Sequence, residues 1–167
     1  MATERHANLT SMMRYQRMIR QGRNFTFDDL HDQMKPYLSH GWMQQVQQAY
    51  EFAERAHSGQ SRKSGIPYIH HPITAAIILA EMGMDPPTLM AALLHDVMED
   101  TEYSDELVKT FRPDVVELVR GVTKLPKDNI LSNSEREEQN LTKLIMAMSK
   151  DWRVIIIKLA DRLHNMH

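Results

Sequence analysis

Apolar residues recur at every third or fourth position along most of the chain, and few stretches alternate apolar with polar at every second one. The first spacing lines one side of an α-helix and the second one face of a strand, so the pattern predicts an all-α protein. A short helix is predicted from Phe27 to Leu38, capped by Thr26 or Asp28, with Pro36 near its end. A stronger one runs from Trp42 to His57, where Val46, Ala49, Tyr50, Ala53 and His57 share a stripe. Ser58 to Gly65 is too polar and glycine-bearing for a helix and reads as a loop. Pro72 suits the first turn of a helix that reaches about Met82 and stops at Gly83. Asp85-Pro86-Pro87 is a helix start, a side-chain cap followed by two residues with no N–H to satisfy. That helix is expected to carry Leu89, Ala92, Leu93 and, further along, His95-Asp96.

Beyond it, Ser104 is expected to cap a short helix, and Pro113 to open another that ends near Gly121. Thr123 to Ser134 holds a proline, two asparagines and two serines and reads as a surface loop. A long helix is predicted from about Glu135 to Ser149, then a last one from Trp152 to Asn165 with Asp151 as its cap. The β-branched run Val154 to Ile157 resembles a strand, but Leu159 and Leu163 continue it at helical spacing. No internal repeat or low-complexity tract interrupts the pattern.

With 167 residues, 42% of them hydrophobic and 25% charged, the chain suits one globular domain with a real core. A formal net charge of -2 gives no bulk attraction to nucleic acid or anionic lipid. There is no cysteine, so disulfides and thiolate metal sites are excluded, and any metal must sit on imidazole and carboxylate. Thirteen methionines, at helical spacing, read as core filler. No apolar run reaches the roughly 18 residues of a membrane span, and the N-terminus lacks a secretory signal, so a cytoplasmic location is expected. Residues 1–25 read as a basic extension: Glu4 is the only carboxylate before Asp28, and Met12, Tyr15 and Ile19 fall on one side of a partner-facing or solvated helix.

The candidate chemistry starts at His95-Asp96, which on a helix point about 100° apart and can still offer one nitrogen and one oxygen to a single ion. Glu99 and Asp100 repeat the pair one turn on, although a histidine and three acids also suit a solvated helix end. His70-His71-Pro72 ends a loop and starts a helix, a position from which an imidazole can point across a bundle. Asp161, in the otherwise apolar surroundings of Ile155 to Ala160, reads as an ion-pair partner of Lys158 or Arg162 or as a metal ligand, with Asn165 one turn beyond. His57, His70 and His164 read as ordinary core-edge or surface histidines. There is no GxxxxGK phosphate loop, so ATP-driven chemistry is not indicated.

The order His71, His95-Asp96, Asp161 resembles the H…HD…D signature of the HD phosphohydrolase superfamily. The likeness extends through Arg62 to Pro72 (RKSGIPYIHHP), Ala92 to Thr101 (ALLHDVMEDT), Gly121 to Leu125 and Ile157 to Met166. In that order and spacing these strings are similar to the hydrolase domain of the RelA/SpoT alarmone enzymes, from about residue 26 to the end. The resemblance implies an HD-domain helical bundle over 26–167 and one divalent ion, usually manganese, on His71, His95, Asp96 and Asp161. It implies that Glu99 and Asp100 orient and deprotonate a metal-activated water, that Arg62 and Lys63 lie beside the nucleotide, and that Ser64 and Asn165 touch it. The implied reaction is hydrolysis of guanosine 3',5'-bis(diphosphate), or its pentaphosphate relative, to GDP or GTP and pyrophosphate. Two other readings stay open at this point: an HD phosphohydrolase acting on NADPH or a deoxynucleotide, and a nucleotide-binding regulatory domain without catalysis. The stretch Arg62 to Ser64 favours the alarmone, and the intact HDVMED favours catalysis. The long family members carry a synthetase domain that none of these residues supplies, and the motif around Asn165 normally continues beyond His167, so part of the base pocket is expected there.

Overall fold

The structure, a computed structural model, describes residue 18, residues 22–124 and residues 132–165. Among these the chain is helical throughout: α1 is Phe27–Met34, α2 His40–Ala56, α3 His70–Glu81, α4 Pro86–Leu94, α5 Val97–Asp100, α6 Ser104–Thr110, α7 Pro113–Val122, α8 Asn133–Lys150 and α9 Arg153–Asn165. Extended backbone pairs at one isolated bridge among the described residues, between Ser61 and Pro67. The expected helix bearing Met12, Tyr15 and Ile19 and the middle of the expected loop from Thr123 to Ser134 lie outside the described residues.

Helix α4 is the centre of the core. Every one of its residues is buried, which is the fate of a helix that is apolar on all sides. Beside it, α3 is buried from His71 to Ala80. Helices α2, α7 and α9 pack on α4, and α1 and α9 pack on α3. The link between α3 and α4 is short. Gly83, at φ 68°, closes α3: its N–H donates to Ala80 O at 2.9 Å, and that of Met84 to Leu79 O at 3.1 Å. A left-handed residue at this place favours glycine, and the paired bonds satisfy the last carbonyls of the helix. Asp85 then caps α4, with the Thr88 hydroxyl donating to its carboxylate. Packed helices with so short a link run antiparallel, so the first turn of α3 and the last turn of α4 share one end of the bundle.

Helix α9 is locked across both. The Arg153 guanidinium grips Asp151 at 2.6 Å and Asp85 at 2.5 Å, tying the start of α9 to the start of α4. At Gly121 an added Cβ would lie 2.8 Å from Val154 Cγ2, so α7 and α9 meet where only a glycine fits without a shift. The outer helix α8 buries none of its residues and leaves Leu141, Ile145 and Met146 exposed.

Several boundaries differ from the sequence expectation, each for a local reason. Helix α1 stops at Met34, short of Leu38, because Pro36 has no N–H to continue the ladder. Its cap is Thr26, whose N–H and hydroxyl both donate to Asp29, at 2.9 Å and 3.1 Å. Ser104 is the first residue of α6, after Tyr103, and does not cap it. Helix α8 begins at Asn133, two residues early, because Ser132 caps it and Glu135 closes a reciprocal capping box. The largest difference is at His95-Asp96: α4 ends at Leu94, and a turn separates it from the single-turn α5. The His95 ring makes that break, since its Nδ1 lies 2.7 Å from Ala92 O, a carbonyl at the helix end.

Candidate metal centre

The four residues that the sequence singles out as ligands meet at the shared end of α3 and α4. His71, in the first turn of α3, and His95, just past α4, bring their rings to 5.3 Å between centroids, both buried. Asp161 enters from the middle of α9: its Oδ1 lies 3.1 Å from His71 Nε2 and 3.7 Å from His95 Nε2. Asp96, in the turn between α4 and α5, places Oδ2 3.1 Å from His95 Nε2 and 3.5 Å from His71 Nε2. One ligand atom each from His71, His95 and Asp161 lies within 4.8 Å of the others, and Asp96 Oδ2 lies beside both histidines.

The ring nitrogens that face outward set the tautomers. His95 Nδ1 has a carbonyl oxygen as partner, so it carries a proton and leaves Nε2, aimed into the cluster, as the nitrogen that a cation or a second proton would take. That Nε2 is buried and has no hydrogen-bond partner, the signature of a donor waiting for a cation. His71 Nδ1 lies 2.7 Å from His164 Nδ1. For His71 Nε2 to ligate, its Nδ1–H donates to His164, whose own proton then sits on Nε2. Two imidazole nitrogens and two carboxylate oxygens without sulfur fit a divalent cation of the manganese, iron, cobalt or zinc kind.

Electrostatics separates the two histidines. Burial opposes charge on His95, yet the Asp96 and Asp161 carboxylates outweigh it and push its pKa up to about 10. Burial lowers that of His71, and the neighbouring His95 adds to the effect against the pull of Asp161. Burial works against both carboxylates, but His95 beside Asp96, and His71 and His95 beside Asp161, hold them well below the usual range. In the metal-free protein at neutral pH the cluster therefore keeps a proton on His95 and none on the other three. The folded-state pKa lies above the ordinary imidazole value of about 6.5. That proton's contribution to stability is complete below about 6.5 and is lost as pH rises through about 10. Metal and proton compete for the same Nε2, so metal affinity should climb over that range. Calorimetry at pH 7 in buffers of different ionisation enthalpy should show release of about one proton per metal bound; no release would contradict the charge state.

Glu99 and Asp100 lie on α5, one turn past the break. Glu99 is held at both oxygens by Lys124, from the ammonium at 3.0 Å and the backbone N–H at 3.3 Å. Asp100 is exposed, with Oδ2 3.1 Å from the Tyr68 hydroxyl. Arg62 and Asn165, far apart in sequence, join at 2.5 Å, and the Asn165 amide donates onward to Asp161 Oδ1 at 2.7 Å. The loop that carries Arg62 is a tight turn. Arg62 N–H donates to Ile66 O at 2.9 Å, Gly65 N–H to Arg62 O at 2.8 Å, and Gly65 has φ 81°. Lys63 and Ser64 are exposed at this turn, and neither hydrogen-bonds to a residue of the cluster.

Three features escaped the sequence reading. Tyr68 joins Asp96 to Asp100, His164 backs His71, and cations gather where α7, α8 and α9 meet. Lys158 lies 3.3 Å from Asp161 Oδ2, so of the two readings of Asp161 the ion pair is present alongside the cluster. Lys124, Lys143 and Lys158 line a cleft of about 590 Å³ with Thr123, Asn140 and Arg162. Lys143 also donates to Thr123 O. Neither this cleft nor a larger one of about 740 Å³ between α7 and α8 is lined by a cluster residue; the lysine cleft adjoins the cluster through Lys158, paired with Asp161, and through Lys124, bonded to Glu99. No helix among the described residues is long and apolar enough to cross a membrane.

An all-helical bundle that converges two histidines and two aspartates on one point is a metal-centre domain of the HD class. The chain belongs to the HD domain family, whose profile matches residues 49–167, and it groups with the SpoT-like members. It is 49% identical over 143 residues to the bifunctional (p)ppGpp synthase/hydrolase SpoT of Escherichia coli, covering 85% of this chain and 20% of that protein. It is 52% identical over 132 residues to a GTP pyrophosphokinase of Streptomyces coelicolor, covering 78% of this chain and 15% of that one. Among solved structures it is similar to a metazoan ortholog of SpoT described as hydrolyzing ppGpp and acting in starvation responses. That match has a TM-score of 0.61 and 36% identity over 77% of this chain and 70% of the other. The chain thus spans a fifth or less of the length of these two curated relatives.

Proposed function

We propose that the chain hydrolyses guanosine 3',5'-bis(diphosphate) and its pentaphosphate relative with manganese as its cation, through a working unit of residues 26–167. Water adds to the phosphorus linked to the 3' oxygen and the bond from that phosphorus to the 3' oxygen breaks; the 3' oxygen leaves, taking a proton, as the free hydroxyl of GDP or GTP, and the water oxygen departs in pyrophosphate. The observation that carries the proposal is the convergence of His71, His95, Asp96 and Asp161 beside a cleft lined with lysines. The substrate comes from the SpoT relatives' own activity, as their names state it.

When bound, the cation supplies Lewis acidity toward a water and a phosphate oxygen. The chain's residues divide the remaining work. Asp100 is exposed and its Oδ2 is taken by Tyr68, so Oδ1 is the oxygen that accepts the proton of the attacking water. Glu99, tied to Lys124, holds that lysine at the rim and becomes a second base only when the lysine moves to phosphate. Lys124, Lys143 and Lys158 offset the charge of a substrate that the four carboxylates would otherwise repel. Arg62, bridged to α9 through Asn165, stands ready for the nucleotide, with Lys63 and Ser64 at the same turn. Comparing kcat/KM for the alarmone, NADPH and a deoxynucleoside triphosphate tests the substrate. The alarmone should be the fastest by at least about 100-fold, the scale set by a site with dedicated polar contacts. Faster turnover of either rival would reject the assignment.

A further inference from the structure

Tyr68 enters the function above only as the partner of Asp100 Oδ2, yet it is held from three sides. Its backbone N–H donates to Gln60 O at 3.1 Å. Its ring stacks on the buried His57, with centroids 4.5 Å apart and planes 25° from parallel. Its hydroxyl lies 2.7 Å from Asp96 Oδ2 and 3.1 Å from Asp100 Oδ2. His57 is fixed in turn, with Nδ1 2.8 Å from Gln60 Oε1, and the Gln60 amide donates to Asp100 O at 3.1 Å. His57, Gln60 and Tyr68, all from the segment between α2 and α3, therefore close a ring of contacts with Asp100 at the end of α5.

We propose that Tyr68 is a positioning residue whose single hydroxyl proton, shared between Asp96 and Asp100, fixes the ligand carboxylate and the base carboxylate relative to each other. The turn between α4 and α5 needs such a device. The backbone there is paired, Asp100 N–H donating to Asp96 O at 2.9 Å, but that bond leaves both carboxylates to turn about their own side-chain bonds. Asp96 Oδ2 is also the oxygen that faces His71 and His95, so the hydroxyl acts on the ligating atom itself. Without the hydroxyl the Asp96 carboxylate is free to rotate, and Asp100 has nothing to keep it turned toward the cluster. Contacts of this kind, one step outside a metal's ligands, typically change affinity or activity by about 10–100-fold.

The inference rests on the metal reading above, and Tyr68→Phe tests it, because phenylalanine keeps the stack on His57 and removes only the hydroxyl. Manganese titration of the metal-free protein, followed calorimetrically, gives one readout, and kcat and KM at saturating metal give the second. The expected result is manganese affinity lower by about 10-fold or more, kcat lower by a similar factor, and KM within about twofold of the wild type. The melting temperature of the metal-free variant should stay close to that of the wild type. Unchanged metal affinity and kcat would overturn the proposal. So would a melting temperature depressed enough to explain the losses, which would assign Tyr68 to the scaffold. A wild-type protein that binds no manganese would remove the metal reading and this proposal together, whereas a wild type that binds manganese but leaves the alarmone intact would remove the substrate reading while the affinity arm still decides on Tyr68.

Discussion

Alanine in place of His95 or Asp161 is expected to abolish metal binding, not merely weaken it. Each residue supplies one of the few atoms that converge on the cluster, and no other group among the described residues stands behind them. The two variants should differ in stability. His95→Ala removes the group that carries the proton in the metal-free protein and leaves Asp96 and Asp161 to repel each other. Asp161→Ala removes the partner of both histidines and of Lys158, and stranding a buried charge costs about 3–5 kcal/mol. Asp161→Asn keeps the shape and the bond to Asn165, and so separates loss of the metal from loss of the fold. Metal analysis after dialysis reads the outcome. Unchanged metal content in His95→Ala and Asp161→Asn would contradict the ligand assignment.

The second large effect belongs to α5. Asp100→Asn and Glu99→Gln are expected to keep the metal and lose turnover by about 100-fold or more, the scale of removing a positioned acid or base. Asp100 should be the more damaging of the two, since its Oδ1 is open to water while both Glu99 oxygens are engaged by Lys124. Steady-state turnover alongside metal content separates the roles. Loss of the ion together with activity would make these residues ligands, and unaltered turnover would return them to a solvated helix end.

The helical fold was legible because burial follows simple periodicity. Helices α3 and α4 are apolar on all sides, and Gly83, Asp85 and the two prolines after it punctuate them. The break at His95-Asp96 was not legible, because no glycine or proline marks it. A side chain bonding back to Ala92 makes it, and periodicity does not register that. The ligand set was readable as an ordered string, and its convergence became physical only when α9 packed across α3 and α4. Tyr68 sat in plain view within the Arg62–Pro72 string, but its partners are 28 and 32 residues away. His164 read as an ordinary histidine because its partner, His71, is 93 residues away. The lysine cleft joins three helices whose separate charges each look like ordinary surface. Lys63 and Ser64 remain tied to the site by resemblance alone, whereas Arg62 and Asn165 are now joined by a contact.

The central claim is that one divalent ion, held by His71, His95, Asp96 and Asp161, is required for release of pyrophosphate from the alarmone. Metal content and pyrophosphate release measured on the same sample, before chelation, after it, and after manganese is restored, test this directly. The account predicts about one ion per chain in the loaded protein, pyrophosphate and GDP in equal amounts, loss of both on chelation and recovery of both with manganese. Pyrophosphate release that persists after the ion is gone, or a fully loaded protein that releases none, would contradict it.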